Sequence, residues 1–396
     1  MLLKNVSILY GNELTFISST NIRISKEFFK NIKSTLKQNS KEQTFDCEGL
    51  IVIPGLINSH THIGDSIGKD ILLNTDVDEK IHPIIGAKQK ILKKTNPSHL
   101  VNFMKNTCIS MIRNGTTTFV DFREGGLDGI LLLKKVLRKL PIRSIILGRM
   151  EYYQDLKQIK CNTPFPTQKR DELVTLLRNC DGLGISGPNE NSNSMLKYYS
   201  RISKLKAIHS EETVRSSKLS KRIMKKSETQ RALMLKPHFL VHMTHTSKRD
   251  LHQVAKKTRG IVICPRANSS LAEGIPNAVK MLDAGCNIAL GTDNVMVNSP
   301  DMFREMDFLW KVTMGLNRQR IPPKQILKMA TVNAGKLLQK NIGSIEIGKL
   351  ADCVFIDKHS IDLEPMHNPY ASIVHRTNES SIRAVMIGGK IIHGKI

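Results

Sequence analysis

The apolar positions divide the chain into three stretches. Residues 5–10, 14–18 and 22–24 are short alternating or apolar runs separated by Gly11-Asn12 and other turn formers, a pattern that predicts short β-strands. The last fifty residues repeat it, with runs at 353–356, 384–387 and 390–393 and with Gly388-Gly389 placed for a hairpin turn. Chain termini often lie close together, so residues 1–53 and 343–396 are expected to join into one small β-sandwich domain. Residues 54–342 alternate instead. Apolar runs recur at 50–57, 116–120, 142–147, 183–186, 205–208, 239–241, 261–264 and 287–290. Helix-like segments fall between them, as at 97–114 closed by Gly115, 126–140 closed by Pro141 and 247–259 closed by Gly260. A continuous apolar strand followed by a helix belongs to a parallel sheet covered on both faces, and eight repeats predict an α/β fold, a (β/α)8 TIM barrel. Beyond the eighth run, 301–314 and 323–340 are expected to be helices leading back to the small domain, the second begun by Pro322-Pro323.

Composition narrows the class. A chain of 396 residues, 40% hydrophobic, can bury one large core and a smaller one. No apolar run approaches the ~20 residues of a membrane span, and the N-terminus turns polar too soon for a signal peptide. A cytoplasmic protein without membrane association is expected. The seven cysteines are scattered and lack Cys-x-x-Cys spacing, which argues against a cysteine metal site. The net charge of +25 raises nucleic-acid binding as a question. The densest basic stretch, 215–231, carries Leu219, Ile223 and Met224 at helical spacing, the pattern of an amphipathic helix with a solvated basic face. Only 5% of residues are aromatic, so base-stacking platforms are scarce. Nucleic acid is therefore not the expected partner, and an inactive barrel that binds it is kept only as the alternative from another class.

Active residues of a barrel sit at the C-terminal ends of its strands. The first run leads into Asn58-Ser59-His60-Thr61-His62, and residues i and i+2 of a strand share a face, although such a pair alone is equally read as two loop histidines. The fifth run ends in His209, the sixth in His242 and the eighth in Asp293. Nitrogen and carboxylate donors at four strand ends of one rim predict a metal centre. Glu212, three residues after His209, suits general acid/base work; the competing reading, which fits Glu211 equally, is an acid at a helix N-terminus. His245 is expected to be a helix-capping or surface residue. No Gly-x-Gly-x-x-Gly or phosphate loop follows a strand, so no other cofactor is expected.

The segments Pro54-Gly55-Leu56-Ile57-Asn58-Ser59-His60-Thr61-His62, His209-Ser210-Glu211-Glu212, Val241-His242-Met243-Thr244, Cys264-Pro265-Arg266-Ala267-Asn268 and Leu290-Gly291-Thr292-Asp293 resemble the amidohydrolase superfamily. They are most similar to its branch of methylthioadenosine and S-adenosylhomocysteine deaminases, cytosine and guanine deaminases, and triazine hydrolases. The resemblance implies that His60, His62, His209 and Asp293 hold one divalent ion, Zn²⁺ or in some relatives Fe²⁺, which lowers the pKa of a bound water from 15.7 to about 7. It implies that Glu212 moves protons from that water to a ring nitrogen and the departing amine, that His242 aligns the nucleophile, and that Asp293 acts on the water as a base. The fourth run has no lysine of the kind carboxylated in dinuclear relatives, so a mononuclear site is expected. The expected reaction deaminates a cyclic amidine of purine, pyrimidine or triazine type with release of ammonia. The same site allows hydrolysis of a cyclic amide or a carbon–halogen bond. A homo-oligomer acting on a small-molecule substrate is likewise implied.

One departure stands out. Many relatives carry a His-x-Pro-Tyr-like segment after the fourth strand, where this chain has Pro188-Asn189-Glu190-Asn191. Asn189 and Glu190 are expected to contact substrate in its place. Arg123 and Arg149, at the ends of the second and third runs, are expected to bind a substrate carboxylate or to sit in buried ion pairs. Residues 274–276 are expected to form a loop over the pocket, and Asp65 is given no role.

Overall fold

The computed structural model describes every residue except Leu72 and Asn74. Five strands open the chain: β1 (Leu2–Tyr10), β2 (Thr15–Ser25), β3 (Phe28–Lys33), β4 (Thr44–Asp46) and β5 (Leu50–Pro54). β2 pairs antiparallel with β1 and β3, while β4 and β5 lie parallel to β1. The barrel follows with β6 (Leu56–His62), β7 (Thr116–Arg123), β8 (Arg143–Gly148), β9 (Gly182–Ile185), β10 (Leu205–Ser210), β11 (Phe239–His242), β12 (Ile261–Ile263), β13 (Ile288–Leu290) and β14 (Asp293–Asn294). The chain then returns to the first sheet as β15 (Cys353–Asp357), β16 (Ile382–Ile387) and β17 (Lys390–Gly394).

The two chain ends meet where β15 pairs antiparallel with β5 over its whole length, from Cys353 opposite Pro54 to Asp357 opposite Leu50. Ile8, Phe29, Val52, Phe355 and Met386 are buried in the core this sheet encloses. The apolar run 50–57 was expected to be one barrel strand, and it is two. Residues 50–54 belong to the terminal sheet and 56 onward to the barrel, with Gly55 as the joint. Its amide donates to Asp352 O at 2.9 Å, and a Cβ there would collide with the Thr117 side chain, so only glycine fits.

The barrel path runs β13-β12-β11-β10-β9-β8-β7-β6-β14. β13 and β14 are two pieces of the eighth stave, and β14 closes the barrel by pairing parallel with β6, Asp293 opposite Thr61 and Asn294 opposite His62. Between them Gly291 presses on the first stave, where a Cβ would lie 2.7 Å from His60 N. The Asn58 side chain clamps the seam, donating to Thr292 Oγ1 at 2.7 Å and accepting from Thr292 N at 3.0 Å. Alternate strand residues, among them Val120, Phe122, Leu147, Phe239, Val241 and Ala289, pack inside the barrel. Neighbours such as Phe119, Ile146 and Leu240 face the helices, as two-residue periodicity requires.

The expected helix 323–340 is broken into Pro323–Met329 and Val332–Leu338. At Thr331 the backbone leaves helical geometry while its hydroxyl donates to Leu327 O at 2.7 Å, a local bond that competes with the helical ladder. The basic stretch forms helices Val214–Met224 and Glu228–Ala232, with Lys218, Lys221 and Arg222 exposed on the first and Arg231 buried on the second. Among the described residues no helix is long and apolar enough to cross a membrane.

Candidate active site

His60 and His62 lie within β6 itself, and a bulge aims them. Asn58 pairs with Phe119 and Thr61 with Asp121, so three steps of β6 are matched by two of β7. One extra residue reverses which face the following side chains occupy. Ile57 packs inside the barrel and, after the bulge, so do His60 and His62, which contact the inward ring of Phe122. Asp121 Oδ1 fixes the exit of the strand by accepting from Ile63 N at 2.7 Å and Thr61 Oγ1 at 3.1 Å.

The four expected ligands converge. His62 Nδ1 lies 3.1 Å from Phe122 O and His209 Nδ1 2.9 Å from Ile185 O. Donation from Nδ1, to the Ile185 carbonyl in His209 and to the Phe122 carbonyl or the nearer Glu124 carboxylate (2.6 Å) in His62, fixes the tautomer and leaves each Nε2 lone pair for the site centre. Asp293 Oδ1 is 3.1 Å from His60 Nε2 and 3.4 Å from His62 Nε2. Ligand atoms of His60, His62 and His209 all lie within 4.8 Å of one another, as do those of His60, His242 and Asp293. His60 Nδ1, Asp293 Oδ2 and His242 Nε2 are buried without a protein partner. Buried polar atoms are rarely left so, and a cluster of imidazoles with one carboxylate is a donor set that divalent zinc accepts. The residues present therefore fit a metal ion.

Electrostatics favours the ligating forms. Burial pulls His60 down to about 3 and His209 well below its ordinary value, so both imidazoles are neutral. Burial alone would push Asp293 up, but the His60 hydrogen bond and the neighbouring histidines hold it below the usual carboxylate range. The backbone leaves the strands through left-handed residues at Glu211, His242, Met243 and Asp293, with φ of 54°, 71°, 58° and 62°. Such conformations cost about 1–3 kcal/mol each and concentrate at functional sites.

A cavity of about 210 Å³ opens above these residues. Arg149, Asn189 and Glu190 line it, as expected. Asn189 is held by donation to Ser216 O at 3.0 Å and by accepting from the buried Arg231, while Glu190 accepts from Ser186 Oγ at 3.2 Å. Glu212 also lines it, its Oε2 3.7 Å from His242 Nε2, and burial raises its pKa against the pull of His242. Glu211, its rival, is turned away. Its carboxylate accepts from Ser217 Oγ, Thr229 N and Thr229 Oγ1, which makes it the brace between two helices.

Arg123 takes the second of its two expected places, a buried ion pair, and does not line the cavity. It is 3% exposed on the outer face of β7, over Gly64, with Nη1 3.4 Å from Met104 Sδ and 3.8 Å from Asp121. Phe122 takes the inward position, so residue 123 must face the helices. Residues 274–276 do not line the cavity either; its cover comes from 77–88, through Val77, Ile81, His82, Pro83, Ile85 and Lys88. His245 is partly buried rather than a cap, and its Nε2 lies 2.8 Å from Glu273 O. Asp65, given no role, binds Asn294 Nδ2 at 2.7 Å and Met296 N at 3.1 Å.

A parallel barrel joined to a sheet from both chain ends carries, on its C-terminal rim, histidines and an aspartate able to hold a divalent ion, the place where barrel enzymes keep their chemistry. Residues 51–392 match the sequence model of the amidohydrolase family, and the chain belongs to that family. It is an enzyme of that family, a hydrolase. It is 35% identical to a putative aminohydrolase of Methanothermobacter thermautotrophicus over 99% of each chain. It is 26% identical to the 5-methylthioadenosine/S-adenosylhomocysteine deaminase of Pyrococcus furiosus, over 99% of this chain and 94% of that one. The crystal structure of an adenosine deaminase from Xanthomonas campestris with bound zinc shares the fold, with a TM-score of 0.82 at 19% identity, covering 98% of this chain and 92% of that one.

Proposed function

We propose that the chain hydrolyses the exocyclic amino group of a cyclic amidine of purine, pyrimidine or triazine type, with one Zn²⁺ held by His60, His62, His209 and Asp293. The observation that carries this reading is the convergence of those four side chains beside an acidic group, Glu212, that faces the same cavity. The aminohydrolase and deaminase names of the relatives support the same reaction class.

The overall change is water plus an amino-substituted ring carbon giving the ring carbonyl and ammonia. A bound divalent ion supplies a Lewis acid that activates water at neutral pH. The chain's own residues handle the protons. Glu212, with its pKa raised by burial, takes one proton from the attacking water, passes it to the ring nitrogen, and later serves the departing amine. His242, whose Nδ1 is held 3.2 Å from Asn268 Oδ1, turns its Nε2 toward the reacting centre and orients the nucleophile. Arg149, Asn189 and Glu190 contact the substrate along the wall, and the apolar side chains of Ile81 and Pro83 exclude water from its ring.

The test is an ammonia-release screen of metal-loaded enzyme over nucleobases, nucleosides and triazines. Ammonia from one of them is the expected result; halide release or ring opening without ammonia moves the activity to another bond on the same site. Metal analysis is expected to give about one tightly bound divalent ion per chain, and two would overturn the mononuclear assignment.

A further inference from the structure

Lys88 comes from the cover, on the helix Ala87–Lys94, yet it is only 3% exposed. A buried ammonium is costly unless paired, and this one meets two carboxylates. Its Nζ lies 2.6 Å from Glu124 Oε1 and 3.6 Å from Asp65 Oδ2. Glu124 is fully buried, and the same Oε1 lies 2.6 Å from His62 Nδ1. The other cations stand farther from Glu124, Arg123 at 3.9 Å and Arg149 at 4.0 Å. Asp65 in turn grips Asn294 and Met296, the residues just past Asp293. One cation therefore ties together the carboxylate behind one ligand and the carboxylate that holds the chain beside another. On that helix Lys88 and Gln89 are buried, whereas Ala87, Ile91 and Leu92 are half-buried, Leu92 packing against the main core.

We propose that Lys88 is a positioning residue that couples the cover to the metal site, seating Glu124 against His62 so that tight metal binding requires the closed cover. The coupling rests on the reading of His62 and Asp293 as ligands. Linkage makes it reciprocal: a bound ion must hold the cover closed to the same degree that the closed cover strengthens the ion's binding. Partners behind a ligating histidine are typically worth about 10–100-fold in metal affinity.

The test uses the metal-free full chain and Zn²⁺ alone, without substrate. In competition with a chelating dye, Lys88→Met and Glu124→Gln are each expected to weaken Zn²⁺ binding about 10–100-fold. Lys88→Arg, which keeps the charge, is expected to recover most of the loss. The double variant is expected to be no weaker than the worse single one, since both act through one path. Hydrogen exchange of residues 77–94 is expected to slow when Zn²⁺ binds the wild type and to be unaffected by Zn²⁺ in Lys88→Met. Wild-type affinity in Lys88→Met overturns the proposal. So does a wild type whose 77–94 exchange ignores Zn²⁺, a measurement that needs no variant to fold. A wild type that binds no Zn²⁺ removes the metal reading and this coupling with it, whereas Zn²⁺ binding without these differences removes the coupling alone.

Discussion

The two walls of the cavity are built on different terms. On the barrel side, His60, His62, His209, His242 and Asp293 are all 7% exposed or less, and a backbone carbonyl or side-chain oxygen fixes one ring nitrogen of each imidazole. On the cover side, residues 77–88 form a five-residue helix, turns and the start of the helix Ala87–Lys94, with Ile84 and Ile85 51% and 62% exposed. Groups that hold an ion must be fixed within a fraction of an ångström, and strands with interlocked neighbours provide that. A wall that shapes and dries the pocket, and reaches the ligands only through Lys88, can be laid on with few apolar anchors, the property of segments that open locally at low cost.

That contrast can be broken by mutation. The largest effects belong to the barrel wall: His60→Ala or Asp293→Ala is expected to abolish metal binding and turnover together, read by metal analysis and ammonia release. Glu212→Gln comes next, with metal retained and kcat lowered about 10²–10⁴-fold. Normal turnover in that variant would remove Glu212 from the proton path. On the cover, Ile81→Ala is expected to raise KM by roughly tenfold or less while metal content and kcat stay near wild type. Loss of metal in Ile81→Ala would erase the distinction between the walls.

The smallest effect concerns Glu228, which lines the cavity and whose pKa is pushed up to about 8 by burial, then by Glu211 and Glu190, from an ordinary 4.5. Between those values the folded chain keeps a proton that the unfolded chain releases, so this group's contribution to stability falls as pH rises. Glu228→Gln does not titrate, and its Tm relative to wild type is expected to climb from pH 5 to pH 8 in calorimetry at constant ionic strength. A flat difference would show that Glu228 is not held protonated.

The sequence disclosed the barrel wall because its chemistry falls at strand ends, and apolar runs mark where strands end. Arg149 and Arg123 show how far that logic reaches. Leu147 packs inward and so does Arg149, but Phe122 packs inward and sends Arg123 out. Period-two counting along each run would have separated them. The bulge in β6 lay beyond such counting, since it depends on the registry of a neighbouring strand. The cover was illegible for a different reason. Lys88 stands among Lys90, Lys93 and Lys94, where a solvated helix face is the natural reading, and its partner Glu124 is brought to it only by the closed barrel.

Gly55 sets the first barrel stave's position from outside the barrel. Its single residue joins β5 to β6 with no slack, and β5 is itself locked to β15 along five residue pairs. A slip of one residue in that terminal sheet would carry His60 and His62 about 3.3 Å along the strand. The histidines would lose Asp293 Oδ1 and Phe122 O as neighbours. The terminal domain is thus a ruler for the barrel, and the spacing of the metal ligands is measured from a sheet that contributes none of them.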